Sequence, residues 1–336
     1  MSSFLRVVNR QDLDALISRR AGEVKFGERV VLADAADWEN SLASSGARFV
    51  LLGIPEDIGV RANGGVGGAH TAWPAALQAV LNIQSTERLS GAALLVLGAF
   101  DFSEWMGASA GLPAEELRPI VSRIDQEVSS VVEVIVRVGK TPIVIGGGHN
   151  NAYGLLKGAS LALGQALSCI NLDAHSDYRA LEGRHSGNGF RYAKAEGYLQ
   201  RYAVVGLHEN YNSAAILAEL SADPDLHYSF FEAIFLRQEH SFDQALEQAI
   251  QHTDNGYTGI ELDLDCIQGV LSSAATPSGL SVLQARQYLH YCAQQAQVCY
   301  LHLTEGATQL SDGRSDKSTG KLIAYLVSDF LKGVQG

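Results

Sequence analysis

Apolar residues along the chain fall into short runs of strand length that alternate with longer stretches of mixed polarity. Residues 47–55, 92–97, 142–145, 166–170, 202–207, 258–265 and 298–303 are rich in aliphatic and β-branched side chains and are bounded by turn residues or charges, which predicts strands. Most of these runs are apolar throughout rather than alternating, so both faces of the sheet are covered. Apolar residues at helical spacing predict helices over 73–81, 113–138, 151–165, 213–220, 243–251, 283–297 and 321–334. Repeated strand-helix alternation predicts an α/β protein with a mainly parallel central sheet and a site beyond the carboxyl ends of the strands. Residues 1–45, with helical spacing around Leu13, Leu16 and Ile17, read as an N-terminal extension packed on a single catalytic domain over 46–336. No Pro/Ser-rich linker, low-complexity tract or repeat divides that domain.

Composition narrows the classes. With 336 residues, 46% hydrophobic and 18% charged, the chain has the profile of a soluble protein with an ample core. A net charge of −12 and no dense Lys/Arg stripe argue against nucleic acid as a partner. The N-terminus lacks a basic region followed by an apolar one, and no run approaches the roughly 18 apolar residues a span requires, so a cytoplasmic protein with no membrane contact is expected. Cys169, Cys266, Cys292 and Cys299 show no CxxC spacing and read as reduced, packed thiols. The Gly-rich stretch 59–69 is neither a Walker loop nor a GxGxxG fingerprint and reads as a flexible loop.

The chemistry concentrates at strand ends. Directly after residues 166–170 comes Asn171-Leu172-Asp173-Ala174-His175-Ser176-Asp177, whose Asp173, His175 and Asp177 stand two residues apart and project to one side if extended geometry persists. Residues 142–145 break into Gly146-Gly147-Gly148-His149, and residues 258–265 end in Asp263-Leu264-Asp265. Together these supply two imidazoles and four carboxylates. Four carboxylates in one site stay ionised together only beside compensating positive charge, which two divalent cations provide. Oxygen-rich ligation with imidazole and no thiolate suits Mn²⁺, with Zn²⁺, Fe²⁺ and Ni²⁺ also open. Two ions about 3.5 to 4 Å apart hold a bridging water and lower its pKa to near neutrality.

From about residue 47 onward these segments resemble, in order, the GG(D/G)H, DAHxD and DxD motifs of the ureohydrolase family of arginases, agmatinases and formimidoylglutamases. The resemblance implies a three-layer α/β/α arginase-like fold, two Mn²⁺ ions per subunit, a homo-oligomer and hydrolysis of a C–N bond in a small amidine or guanidine. By position, His149 and Asp177 would hold one ion, His175 and Asp265 the other, and Asp173 and Asp263 would bridge them. Gly148 stands where arginases and agmatinases usually carry Asp, and Phe190 stands where arginases carry a proton-shuttling histidine. Phe190 argues against an arginase, while Gly148, Arg61 and Arg179 resemble the formimidoylglutamase branch, which implies hydrolysis of N-formimidoyl-L-glutamate to L-glutamate and formamide in histidine degradation. Glu305 would hold the amidine and Asp177 would pass the proton. Arg179, Arg61, Ser186 and Asn188 would hold the amino-acid end. The alternatives are a guanidine hydrolase of agmatinase or guanidino-acid type and a non-catalytic metal-binding subunit. Glu261 departs from the small hydroxyl residue usual ahead of the DxD pair, Asn150 and Gln268-Gly269 are unusual, and no proline follows Glu305. Plainer expectations attach to His185 as a solvated loop residue and to His302 as a core or supporting position; His208, Asn210 and Asn212 follow a strand and either line the pocket or, for the two asparagines, form a turn.

Overall fold

In the computed structural model, which describes residues 3–334, ten strands form one sheet. They are β1 Leu5–Val7, β2 Val31–Leu32, β3 Phe49–Gly53, β4 Leu94–Phe100, β5 Thr141–Ile145, β6 Leu167–Leu172, β7 Leu199–Leu207, β8 Leu226–Phe230, β9 Tyr257–Asp263 and β10 Gln297–Thr304. The order is β1-β4-β3-β5-β10-β9-β6-β7-β8, with β2 also paired to β4. Every pairing is parallel except β1 with β4.

Alternation along the strands sorts side chains into two cores and makes three layers. Phe49, Leu51, Ile143, Ile145, Ile260 and Leu262 face the helices Ala72–Leu81, Val282–Gln295 and Thr319–Gly333. Val50, Leu52, Val144, Cys169, Tyr202 and Tyr300 face the helices Ala114–Arg137 and Asn151–Leu163. Burial on both sides explains why the central strands read as continuous apolar runs. The expected α/β/α architecture is the one observed.

Three local expectations are corrected. The described part of residues 1–45 does not simply lie over the domain, because β1 and β2 complete one edge of the sheet. Strand β8 was not anticipated; its sequence, Leu-His-Tyr-Ser-Phe, is polar and aromatic because it lies at the opposite edge, where only Leu226 and Ser229 are buried. The Gly-rich stretch is not a slack loop either. It opens on the helix Ile58–Ala62, and the buried Asp57 accepts from the Gly68 amide and from Arg61.

Candidate metal centre and substrate cavity

The middle strands deliver the site at their carboxyl ends. After β5 the chain turns through Gly146 and Gly147, both in the left-handed region (φ 90° and 77°), where L side chains are disfavoured. The turn is gathered by Glu56, a wholly buried carboxylate that accepts from the Gly148 amide at 3.2 Å and from Asn151 Nδ2 at 2.7 Å. Next in the chain, His149 has no exposed surface. After β6, Asp173 Oδ1 accepts from the His175 amide at 2.7 Å, and Asn212 Oδ1 accepts from the Ser176 amide at 3.0 Å, which bends Asp173–Asp177 into a ligand-bearing turn. At the end of β9, Asp263 Oδ1 accepts from the Asp265 amide at 2.8 Å and aims both carboxylates at the same place.

The six expected ligands therefore meet, as two groups that share Asp173: His149, Asp173, Asp177 and Asp263 in one, and Asp173, His175 and Asp265 in the other. His149 Nδ1 lies 2.8 Å from Asp177 Oδ2, 3.1 Å from Asp263 Oδ2 and 3.3 Å from Asp173 Oδ2. His175 Nδ1 lies 3.2 Å from Asp265 Oδ2 and 3.6 Å from Asp173 Oδ1. Among the described residues the buried Asp265 Oδ1 has no hydrogen-bond partner, as expected of a free ligand atom.

The electrostatics make the same demand for positive charge. Burial, then Asp265 and Asp173, push the Asp263 carboxyl well above the usual range. Burial and Asp173 raise Asp177 as well. Burial opposes a charged His149, yet the surrounding Asp173, Asp177, Asp263 and Glu261 hold its pKa well above the ordinary imidazole value. Protons thus accumulate where cations would relieve the repulsion, and an all-oxygen and imidazole donor set fits a pair of hard or borderline divalent ions.

Glu305 follows β10 with φ 62°, and Asp177 has φ 45°, so two functional candidates hold the left-handed conformation that non-glycine residues rarely adopt. Glu305 Oε1 accepts from the His149 amide at 2.8 Å, while Arg314 pairs with Asp312 instead. Burial raises the Glu305 carboxyl to about 8; the His149 N–H opposes this, and Asp265 and Asp177 add to it.

A cavity of about 550 Å³ opens over the cluster, with Asp177, Asp263 and Asp265 in its floor beside Glu305, and Arg179 and Ser186 in its wall. Arg179 donates to Asn63 Oδ1 at 2.9 Å and to Glu182 Oε1 at 3.0 Å, and half of its side chain remains exposed. Two expected substrate residues are elsewhere. The Arg61 guanidinium is spent on Asp57 and on the Ser109 carbonyl and hydroxyl, so it braces a loop instead of facing the cavity. Asn188 is buried, accepts from Arg184 and donates to the Ala180 and Gly183 carbonyls; it shapes the loop but leaves nothing for a ligand.

The structure overturns the solvated reading of His185, which is buried, accepts the Gly187 amide and faces Glu182 at 3.1 Å. Phe190 stands edge-on to His149 with ring centroids 5.2 Å apart and forms part of the apolar core behind it. Asn212 lines the cavity, whereas His208 lies behind Tyr211. Sequence reasoning missed Tyr211, whose half-exposed ring stacks on His175 with centroids 5.3 Å apart and planes inclined by 23°, and Arg184, which ties the loop to Asp125 and to the Asn150 carbonyl. A lone tyrosine in a polar turn carries no local signal. Arg184 sits in a stretch of charge that reads as solvated.

Comparisons with known proteins agree with this geometry. The chain is 27% identical over 248 residues to a formimidoylglutamase of Streptococcus pyogenes serotype M3, covering 71% of this chain and 69% of that one. The formimidoylglutamase of Bacillus subtilis has a similar structure, with a TM-score of 0.74 at 18% identity over 95% of this chain and 94% of that one. A Trypanosoma cruzi formiminoglutamase with Mn²⁺ aligns with a TM-score of 0.66 at 23% identity, over 88% of this chain and 97% of that one. The model of the arginase family matches residues 47–332, which span the whole ligand set, and the chain belongs to that family.

Proposed function

We propose that the protein hydrolyses a linear amidine carrying an anionic tail, N-formimidoyl-L-glutamate, to L-glutamate and formamide, with two Mn²⁺ ions as its cofactor. One observation carries this reading: the cavity combines a carboxylate-rich floor and Glu305 with a half-exposed Arg179 in its wall. A cationic amidine is recognised at one end and a carboxylate at the other. The formimidoylglutamase name borne by the curated relatives supports the same substrate.

His149, Asp173, Asp177 and Asp263 would hold one ion and Asp173, His175 and Asp265 the other. When bound, the pair supplies Lewis acidity that brings the pKa of a water close to neutrality. The protein does the rest. Glu305, fixed by the His149 amide, accepts from the planar amidinium and orients its carbon. Asp177 takes the proton released by the attacking water and hands it to the leaving amine nitrogen, so that the C–N bond breaks to a neutral amine. Arg179 and Ser186 bind the amino-acid end and align the scissile bond. The same reading makes the protein cytoplasmic and a homo-oligomer, with neither nucleic acid nor membrane as a partner.

The test is hydrolysis by Mn²⁺-loaded protein of N-formimidoyl-L-glutamate, agmatine, arginine and 4-guanidinobutyrate, with Asp263→Ala as the inactive control. Turnover of the first alone is expected. Arg179→Leu is expected to raise KM for it by about ten- to a hundredfold with kcat little changed, the loss of one hydrogen bond to a charged group. Urea release from agmatine, or an Arg179→Leu enzyme with unaltered KM, would overturn the substrate assignment.

A further inference from the structure

Behind the ligands runs a row of buried polar side chains that the family motifs do not include. The sheet register sets Asn171, Glu261 and His302 side by side on adjacent strands β6, β9 and β10. All have no exposed surface. They lie on the sheet face that carries Tyr300 and Tyr202, beneath the helix Asn151–Leu163. A buried polar row in an otherwise apolar sheet is costly unless every member has a partner.

The partners lead to the site. Asn171 Nδ2 donates to Asp173 Oδ2 at 2.9 Å. Glu261 Oε1 accepts from the Tyr300 hydroxyl at 2.9 Å, and Oε2 meets His302 Nδ1 at 2.6 Å. The other ring nitrogen of His302 faces the carbonyl of Gly146 at 3.4 Å, at the start of the turn that carries His149. Glu261 is thereby pinned from both sides. Its Oε2 stands 3.4 Å from Nε2 of His149, on the side of the ring away from the carboxylates that surround Nδ1. That Nε2 is buried and, among the described residues, has no hydrogen-bond partner.

We infer that Glu261, held by Tyr300 and His302, is a positioning residue that fixes the ring of His149 for metal binding. Across 3.4 Å the carboxylate attracts the Nε2–H and so favours the tautomer that leaves the Nδ1 lone pair directed at the ligand cluster. A metal-binding histidine whose second nitrogen is unsupported can rotate or adopt the wrong tautomer, and loss of such support costs about ten- to a hundredfold in metal affinity. The pinning also explains a glycine. A Cβ on Gly259 would stand 2.3 Å from the Tyr300 ring, so only glycine on β9 lets the Tyr300 hydroxyl reach across to Glu261. The inference rests on the reading of His149 as a ligand.

Full-length protein stripped with chelator is titrated with Mn²⁺ by calorimetry, and its ion content is measured, for the unaltered chain, Glu261→Gln and Tyr300→Phe, each checked for folding by circular dichroism. The expected result is two ions in every case, with one of them bound about ten- to a hundredfold more weakly in Glu261→Gln and the other unchanged. The spin-coupled Mn²⁺ signal in electron paramagnetic resonance should then appear only at higher Mn²⁺. Tyr300→Phe, which leaves every charge in place and removes one anchor, is expected to weaken the same ion by a smaller factor, and carries the test alone if Glu261→Gln does not fold. Equal affinities across the set overturn the inference while leaving the site intact. An unaltered chain that binds no ion pair overturns the reading of the site as well. A third ion, lost in Glu261→Gln, overturns the positioning role by making Glu261 and His302 ligands themselves.

Discussion

The sharing of Asp173 between two ligand groups makes the six ligands unequal in a way that thermal unfolding can read. Asp177 belongs to the His149 group alone and Asp265 to the His175 group alone. Replacing either by Asn keeps the shape and removes one site, whereas Asp173→Asn strikes both. An ion that binds only the folded chain stabilises it by about 2.7 kcal/mol at a free concentration a hundredfold above its Kd. The entropy of unfolding is about 2.1 cal/mol/K per residue, or about 0.7 kcal/mol/K for 336 residues. Two filled sites therefore raise Tm by about 8 °C over the chelated protein, and one filled site by about 4 °C.

The assay is scanning fluorimetry of chelator-treated protein across a Mn²⁺ titration, with bound metal counted in parallel. Unaltered protein should gain about 8 °C, Asp177→Asn and Asp265→Asn about 4 °C each, and Asp173→Asn close to nothing. Activity does not separate these variants, because a two-ion reaction fails when either ion is lost. Tm does. Asp173→Asn retaining the full gain would refute a shared ligand, and Asp265→Asn losing the whole gain would refute two separable sites.

Two further outcomes follow from packing and titration. Gly259→Ala places a methyl group against the buried Tyr300 ring, an overpacking worth about 1–3 kcal/mol, and should lower Tm by about 1–4 °C in chelated protein; in a Tyr300→Leu background, itself less stable for want of the ring and its hydroxyl, the same glycine substitution should cost little further, and equal costs in the two backgrounds would show that the ring is not the obstacle. His185 is held down to about 4, chiefly by burial against the weaker opposing pull of Glu182. Its folded pKa thus lies below the unfolded value near 6.5, so the unfolded chain takes up the proton first. The stability this contributes is complete above pH 6.5 and is lost as pH falls towards 4, by at most about 3 kcal/mol because Glu182 is partly solvated. Urea unfolding of metal-free protein at pH 7 and pH 4.5 should show a smaller pH-dependent loss for His185→Gln than for the unaltered chain; equal losses would place the imidazole in contact with water.

The metal centre was legible because each part of it is local. Gly146–His149, Asp173–Asp177 and Asp263–Asp265 each lie within a few residues at the end of an apolar run, and a parallel sheet brings such ends together without further information. Fates of individual arginines were not legible. Arg61 and Arg179 both stand near Gly-rich or ligand-rich segments, yet Asp57 and Ser109 consume the first guanidinium, while Asn63 and Glu182 hold the second with half of its side chain still exposed. The edge strands escaped for a related reason. An edge strand that is mostly half-buried, such as β8, need not be apolar, and β1 and β2 are too short to show a period.

The row behind the ligands marks the limit most sharply. Glu261 looked like an anomaly within its own strand, and His302, 41 residues away, looked like an unremarkable core position. Neither residue explains itself, because the fact that joins them is a register: β10 lies against β9 with His302 opposite Glu261, and Tyr300 opposite Gly259. Across the sheet, the departure and the core histidine become one device. A buried carboxylate needs donors, the neighbouring strand provides them at matching positions, and the glycine clears the path for the ring that carries one of them. Patterns along a chain report what each strand buries, whereas the support of a ligand is written between strands. An unusual residue ahead of a metal motif should therefore be weighed with the residue that the sheet sets beside it.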